Sequence, residues 1–229
     1  MKWLSPDWIW KIWGRLHGFV LIFPVLGIIS IFLAGVAAWG AFNWSLELTN
    51  TEKFCVSCHE MKSYIFTEYK KSTHYANRTG VRASCPDCHV PREWVHKVVR
   101  KVTATNELYH WAAASIRTPE DFKAKRLKLA KKVWSTMKST NSRECRNCHR
   151  NDFMEGSAQS EKAELMHALA VPWKMTCIEC HQGITHTLPD EFDKEAVMDR
   201  LHDRMEKEKV NCRSCHDKLA GPPPGDGWD

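Results

Sequence analysis

No cysteine in this 229-residue chain stands outside a Cys-x-x-Cys pair, so none is left over for a disulfide framework built beside those pairs. No stretch alternates apolar and polar residues as a half-buried strand does, so a sheet is not expected. Between Gly18 and Phe42 there is no charged residue. Nothing marks a dedicated catalytic pocket. What the chain does have is one short unit in five copies: Cys55-Val-Ser-Cys58-His59, Cys85-Pro-Asp-Cys88-His89, Cys145-Arg-Asn-Cys148-His149, Cys177-Ile-Glu-Cys180-His181 and Cys212-Arg-Ser-Cys215-His216.

Cys-x-x-Cys-His is the attachment signature of c-type haem. Two thiols bond the porphyrin edge and the adjacent imidazole reaches the iron. Paired Cys-x-x-Cys motifs also build zinc sites, and ten cysteines in an oxidising compartment can form disulfides. Neither alternative calls for a histidine after every pair. The motif therefore points to five covalent haems and to electron transfer.

The uncharged 18–42 segment is long enough to cross a hydrocarbon core of about 30 Å as a helix. Trp3, Trp8, Trp10 and Trp13 precede it, and Trp39 and Trp44 close it, the distribution expected of aromatic belts. A cleaved signal peptide would have a shorter apolar core. Lys2, Lys11 and Arg15 outnumber Asp7 before the span, which predicts a cytoplasmic N-terminus and a periplasmic remainder at a bacterial inner membrane. We expect an interfacial segment at 1–17, an anchor at 18–42, a haem domain at 43–190 and an extension carrying the fifth motif at 191–229.

Beyond the anchor, 187 residues serve five haems, roughly 37 each. A chain so loaded has little regular apolar core, and the haems must fill much of its interior. The expected fold is mainly α: one transmembrane helix and a haem-packed domain. Candidate helices are Glu93–Ile116, a helix capped by Thr118 running to Ser139, Ser160–Ala170 and Asp190–Lys209. The formal charge of +6 ignores two propionates per haem, so the basic residues are assigned to haem neutralisation and not to nucleic acid.

Six histidines beyond the motifs lie after the anchor: His74, His96, His110, His167, His186 and His202. Each competes for the second axial position of an iron, against the ordinary reading of a surface or core histidine. His202 shares a helical face with Met198 and Met205 and precedes Cys212 by ten residues. It is the expected distal ligand of the fifth haem, opposite His216. His96, Arg100, Thr103, Glu107 and His110 share another face, whose target stays open.

Glu52-Lys-Phe-Cys55 through Met61, Glu68-Tyr-Lys-Lys-Ser72-Thr-His74-Tyr75, Gly80 through Pro91, and Cys177 through Pro189 together resemble the NapC/NirT family of membrane-anchored multihaem quinol dehydrogenases. The resemblance implies electron transfer from membrane quinol, menaquinol included, to a periplasmic reductase or cytochrome. It also allows a larger membrane complex or a homo-oligomer. It implies Met61 as axial ligand of haem one, replacing His59. It pairs His186 with His89 on haem two, His74 with His149 on haem three, and His167 with His181 on haem four. It places Lys101 and Glu107 at the quinol headgroup, Glu107 as proton acceptor. Two departures stand out. Arg92 replaces a histidine frequent in relatives, and the fifth motif has no counterpart in the four-haem pattern. Two further readings stay open: a haem-site reductase of a small oxyanion, and the same wire running from a periplasmic donor to quinone.

Overall fold

The computed structural model describes residues 7–22 and 24–216. Lys2 and Trp3 of the N-terminal segment, and the Gly221–Gly227 tail, lie outside the described residues. The chain divides into two units at Thr51–Glu52, each taken by itself below. Among the described residues there is no strand.

The first unit holds α1 (Asp7–Ile22) and α2 (Pro24–Leu48). Pro24 is the first described residue of α2. α2 is the one described helix long and apolar enough to cross a membrane, with a mean hydropathy of 2.2 over its most apolar window. Its 25 residues span about 37 Å. The helix runs six residues past the end of the uncharged segment, to Leu48. Its polar end stays helical because side chains bond the helix's own carbonyls: Asn43 Nδ2 donates to Trp39 O (2.9 Å) and Ser45 Oγ to Phe42 O (2.7 Å). Such back-bonding spares polar groups the cost of lying unpaired in lipid.

The second unit is helical but thinly cored. Its elements in chain order are α3 (Glu52–Cys55), a π-turn at Met61–Ile65, α4 (Phe66–Tyr69), α5 (Cys85–His89), α6 (Trp94–Ala112), α7 (Pro119–Ser139), α8 (Arg143–Arg146), α9 (Glu161–Ala170), α10 (Cys177–Cys180) and α11 (Lys194–Lys207). Four large apolar side chains of this unit are buried, Tyr69, Phe122, Trp173 and Ile178. That is the sparse core expected where cofactors form the interior.

α7 and α9 begin where the capping chemistry predicts, but α11 begins at Lys194, four residues after the expected Asp190, because Asp193 is the residue that caps it by accepting from Ala196 N. Thr118 accepts from Asp121 N (3.2 Å) at the start of α7, and Ser160 accepts from Ala163 N at the start of α9. α7 and α9 end at the expected Ser139 and Ala170, while α6 and α11 stop short of the expected Ile116 and Lys209. α6 stops at Ala112, four residues before Ile116, because Ala114 adopts a left-handed backbone (φ 47°). Ser115 N then bonds His110 O (3.0 Å) and Ala114 N bonds Trp111 O (2.9 Å), the paired reverse bonds of a Schellman end. Asn141 and Lys209 close α7 and α11 in the same way, and Lys174 closes the turn that follows α9. None of the four is glycine, so no glycine in the sequence announces these stops.

Candidate haem-ligand sites

The second and fourth cysteine pairs sit on the one-turn helices α5 and α10, where residues three apart face the same side, whereas the first and third begin on α3 and α8 and finish in the turns beyond them. Two of these turns carry their own lock. The Asp87 carboxylate accepts from the Ser84 backbone N–H (2.9 Å) and hydroxyl (2.6 Å), and Glu179 does the same for Thr176 (2.8 and 3.0 Å). Each cap stands immediately before a first cysteine and so fixes the direction in which the thiol pair points. The fifth pair lies on a looser 3₁₀ turn, Cys212–Ser214, capped by Asn211 accepting from Arg213 N (3.0 Å).

No disulfide joins any of the ten cysteines. Among the described residues no three His, Cys, Asp or Glu side chains converge as a zinc site requires. The thiols of successive motifs are neighbours instead. Burial first, then the nearby Cys55, pushes Cys85 up to about 11; burial, Asp87 and Cys148 do the same to Cys88. Cys145 and Cys177 are hydrogen-bonded, which holds Cys177 well below the usual thiol range, to about 5, and drives Cys145 up. Motif one therefore adjoins two, two adjoins three, and three adjoins four. Ser142 pins the last junction: fully buried in a left-handed conformation at the start of α8, it accepts from the backbone of Ile178 (3.1 Å).

The histidines come together in four pairs. Ring centroids lie 6.1 Å apart for His74 and His149, 6.3 Å for His89 and His186, 6.0 Å for His167 and His181, and 6.2 Å for His202 and His216. These are the four pairings expected from the sequence. The spacing is informative. With a metal–nitrogen distance of about 2 Å and a ring nitrogen roughly 1.1 Å from its ring centre, two imidazoles on opposite sides of one metal have centroids about 6 Å apart. The Nδ1 atoms of His74 and His186 are buried without a hydrogen-bond partner, which is costly for histidines with a purely structural role. Burial, then His186 and Arg100, holds His89 down to about 4, and burial also lowers His74 and His186. These rings are therefore kept in the neutral form that ligates metal. The thiol and imidazole sets fit c-type haem.

Two ion-pair knots, not foreseen from the sequence, hold these ligands. Arg126 of α7 forms a bidentate pair with Glu68 of α4 (2.8 and 2.7 Å) and donates through Nε to the carbonyl of Thr187 (3.1 Å), while Glu68 accepts from Thr187 N (3.0 Å). Thr187 follows His186, so one guanidinium fixes the loop that presents this ring. Arg82 donates from Nη2 to both carboxylate oxygens of Glu52 (2.8 and 2.7 Å) and from Nε to the Tyr69 hydroxyl (3.2 Å), and lies 4.2 Å over the Tyr75 ring. It ties the turn before motif one to the strap before motif two.

Motif one differs. His59 has no ring partner among the described residues and instead meets Glu60 (3.3 Å). Met61 opens the adjoining π-turn and is partly exposed. Lys101 and Arg100 of α6 act electrostatically on Cys55, which places both beside this motif. Glu107 is ion-paired to Arg100 (3.0 Å), whose Nε donates to the His89 carbonyl (3.2 Å). Of the face singled out in the sequence, Arg100 is thus the member that bridges Glu107 to the second motif. Arg92 lies 3.7 Å from Asp87. His110 packs against Tyr109 (5.5 Å).

The NapC/NirT cytochrome c family, N-terminal region, matches residues 20–191. The chain belongs to this family. It is 53% identical over 163 residues to the denitrification system component NirT of Stutzerimonas stutzeri, a match covering 71% of this chain and 81% of that protein. It is 52% identical over 159 residues to the cytochrome c-type protein NapC of Escherichia coli K12, covering 69% and 80%. It is 46% identical over 190 residues to NapC of Paracoccus pantotrophus, covering 82% and 79%. No solved structure matches the chain. Like its family, this NapC/NirT cytochrome is a membrane-anchored multihaem electron-transfer protein. The fifth motif lies beyond the matched region.

Proposed function

We propose that this NapC/NirT cytochrome is a pentahaem quinol dehydrogenase that links the membrane quinol pool to a periplasmic reductase or cytochrome. Quinol is oxidised beside motif one, and motifs two to five relay the electrons outward. The observation that carries the reading is the set of four imidazole pairs at 6.0–6.3 Å beside four of five motifs, with the remaining motif unpaired. The paired rings would hold the irons of haems two to five, and Met61 that of haem one. Bound c-type haem supplies reversible one-electron chemistry at the iron.

The residues around motif one supply the rest. Quinol gives up two electrons and two protons to become quinone. Lys101 orients the headgroup oxygen and favours its negative charge as the first proton leaves. Glu107 accepts that proton, and its ion pair with Arg100 aims the carboxylate. The basic residues before the anchor support a cytoplasmic N-terminus with the haem unit in the periplasm. A relative named as a denitrification component supports a respiratory reductase as the partner class.

Purified full-length protein assayed with a menaquinol analogue tests the assignment. Glu107→Gln and Lys101→Ala should each slow quinol oxidation by on the order of a hundredfold, as loss of positioned proton transfer does. All haems should remain attached in both. Undiminished turnover in both variants would place quinol elsewhere.

A further inference from the structure

The fifth motif follows the region matched by the family, so how it is held is a property of this chain. Two arrangements are possible in principle: a haem swinging on a tether, or one docked at fixed spacing from its neighbour. The decisive residue is Trp173. It is 5% exposed, and an indole so covered needs a partner for its N–H. Nε1 donates to Glu208 Oε2 at 2.7 Å. The Arg204 guanidinium lies 4.8 Å over the same ring, and its Nε donates to Glu208 Oε1 (3.4 Å). One tryptophan is thus held at its edge by a carboxylate and at its face by a cation, and the two are bonded to each other.

The positions of these residues in the chain give the contact its meaning. Trp173 stands between His167 and Cys177, in the segment that supplies both ends of the fourth haem site. Arg204 and Glu208 stand between His202 and Cys212, the corresponding segment of the fifth. The extension is gripped at its other end as well. Phe192 packs edge-on against Trp134 of α7 (5.2 Å), and Asp190 pairs with Lys123 (2.7 Å).

We propose that Trp173 is a positioning residue that docks the fifth haem segment onto the fourth at a fixed spacing, making motif five a rigid outlet of the wire. The inference rests on the pentahaem reading above. The indole contributes a hydrogen bond to a charged group and a cation–π contact. Together they favour the docked state by on the order of a hundredfold.

The test uses the detergent-solubilised holoprotein and the variants Trp173→Leu, Trp173→Phe and Glu208→Ala. Haem content is first counted by mass, and limited proteolysis is followed at residues 187–194. Where opening is fast, cleavage reports the undocked population. Trp173→Leu should keep five haems and its low-spin spectrum, yet be cut on the order of a hundredfold faster. It should also lose the magnetic coupling between haems four and five in electron paramagnetic resonance. Trp173→Phe, which keeps a ring under Arg204, should fall between Leu and the parent. If Trp173→Leu fails to assemble, Glu208→Ala leaves the indole packed and carries the same comparison. Five haems with unchanged proteolysis and coupling in the assembled variants would overturn the docking. A parent protein with only four haems would instead overturn the pentahaem reading.

Discussion

The segment from Glu52 to Asp190 and the extension from Glu191 to His216 carry the same chemical motif but hold it differently. In the first, motif turns abut one another and are stitched by residues distant in sequence: Glu52 to Arg82, Glu68 to Arg126, Ser142 to Ile178. In the second, one histidine pair stands on an exposed helix and a 3₁₀ turn, and its polar link to the haem-four segment is Trp173 with Glu208. The imidazole spacing is nonetheless the same, 6.2 Å against 6.0–6.3 Å. Local geometry thus suffices to prepare a ligand pair. The long-range stitching prepares something else, the fixed order of one pair beside the next.

This contrast can be broken from either side. The largest effect is expected at Arg126. Its pair with Glu68 is mostly covered, 17% and 19% exposed, and Arg126→Gln leaves a carboxylate without its partner. We expect a loss of about 2–4 kcal/mol, below the full cost of a fully buried pair because some solvent reaches this one. Chemical denaturation followed at the haem band should show the loss in the four-motif segment. The His202–His216 site should keep its low-spin signature at denaturant levels where His186 has left its haem.

A matched pair of caps sharpens the comparison. Thr118→Ala at the start of α7 and Asp193→Ala at the start of α11, where Asp193 accepts from Ala196 N (2.9 Å), each remove about 1 kcal/mol. The first should lower the midpoint of the four-motif segment. The second should raise hydrogen exchange only within 194–207. The α7 cap also carries a pH dependence. Backbone N–H groups of Arg117 and Thr118 hold the Asp121 carboxyl below its ordinary range. Its contribution is therefore fully present above that range and lost as pH falls through the lowered value. Asp121→Asn should flatten this part of the acid limb.

The smallest effects are expected at the left-handed helix ends. Ala114→Gly just beyond α6 and Lys209→Gly just beyond α11 remove the strain of a Cβ at φ 47° and 54°. Each should stabilise by a few tenths to about 1 kcal/mol. Thermal unfolding should register the first change, and hydrogen exchange near 200–210 the second.

These sites also show what the sequence made legible. His202 could be read because three residues at i, i+4 and i+7 define a helical face, and α11 indeed carries them. The other three pairings came through resemblance, since no periodicity links His74 to His149 across 75 residues. Arg126 and Glu68 were invisible for the same reason: 58 residues separate them, and only the fold gives an exposed-looking lysine-rich helix a guanidinium with a fixed target. The overshoot at Ile116 had a different cause, a helix stop made by alanine where glycine is the usual signal.

Near-infrared magnetic circular dichroism on the oxidised, mass-verified holoprotein tests the central claim most directly, because the band position reports the axial pair of each low-spin haem. The account predicts five haems, four with bis-imidazole ligation and one without. Fewer than four bis-imidazole haems, or a second imidazole on haem one, would contradict it.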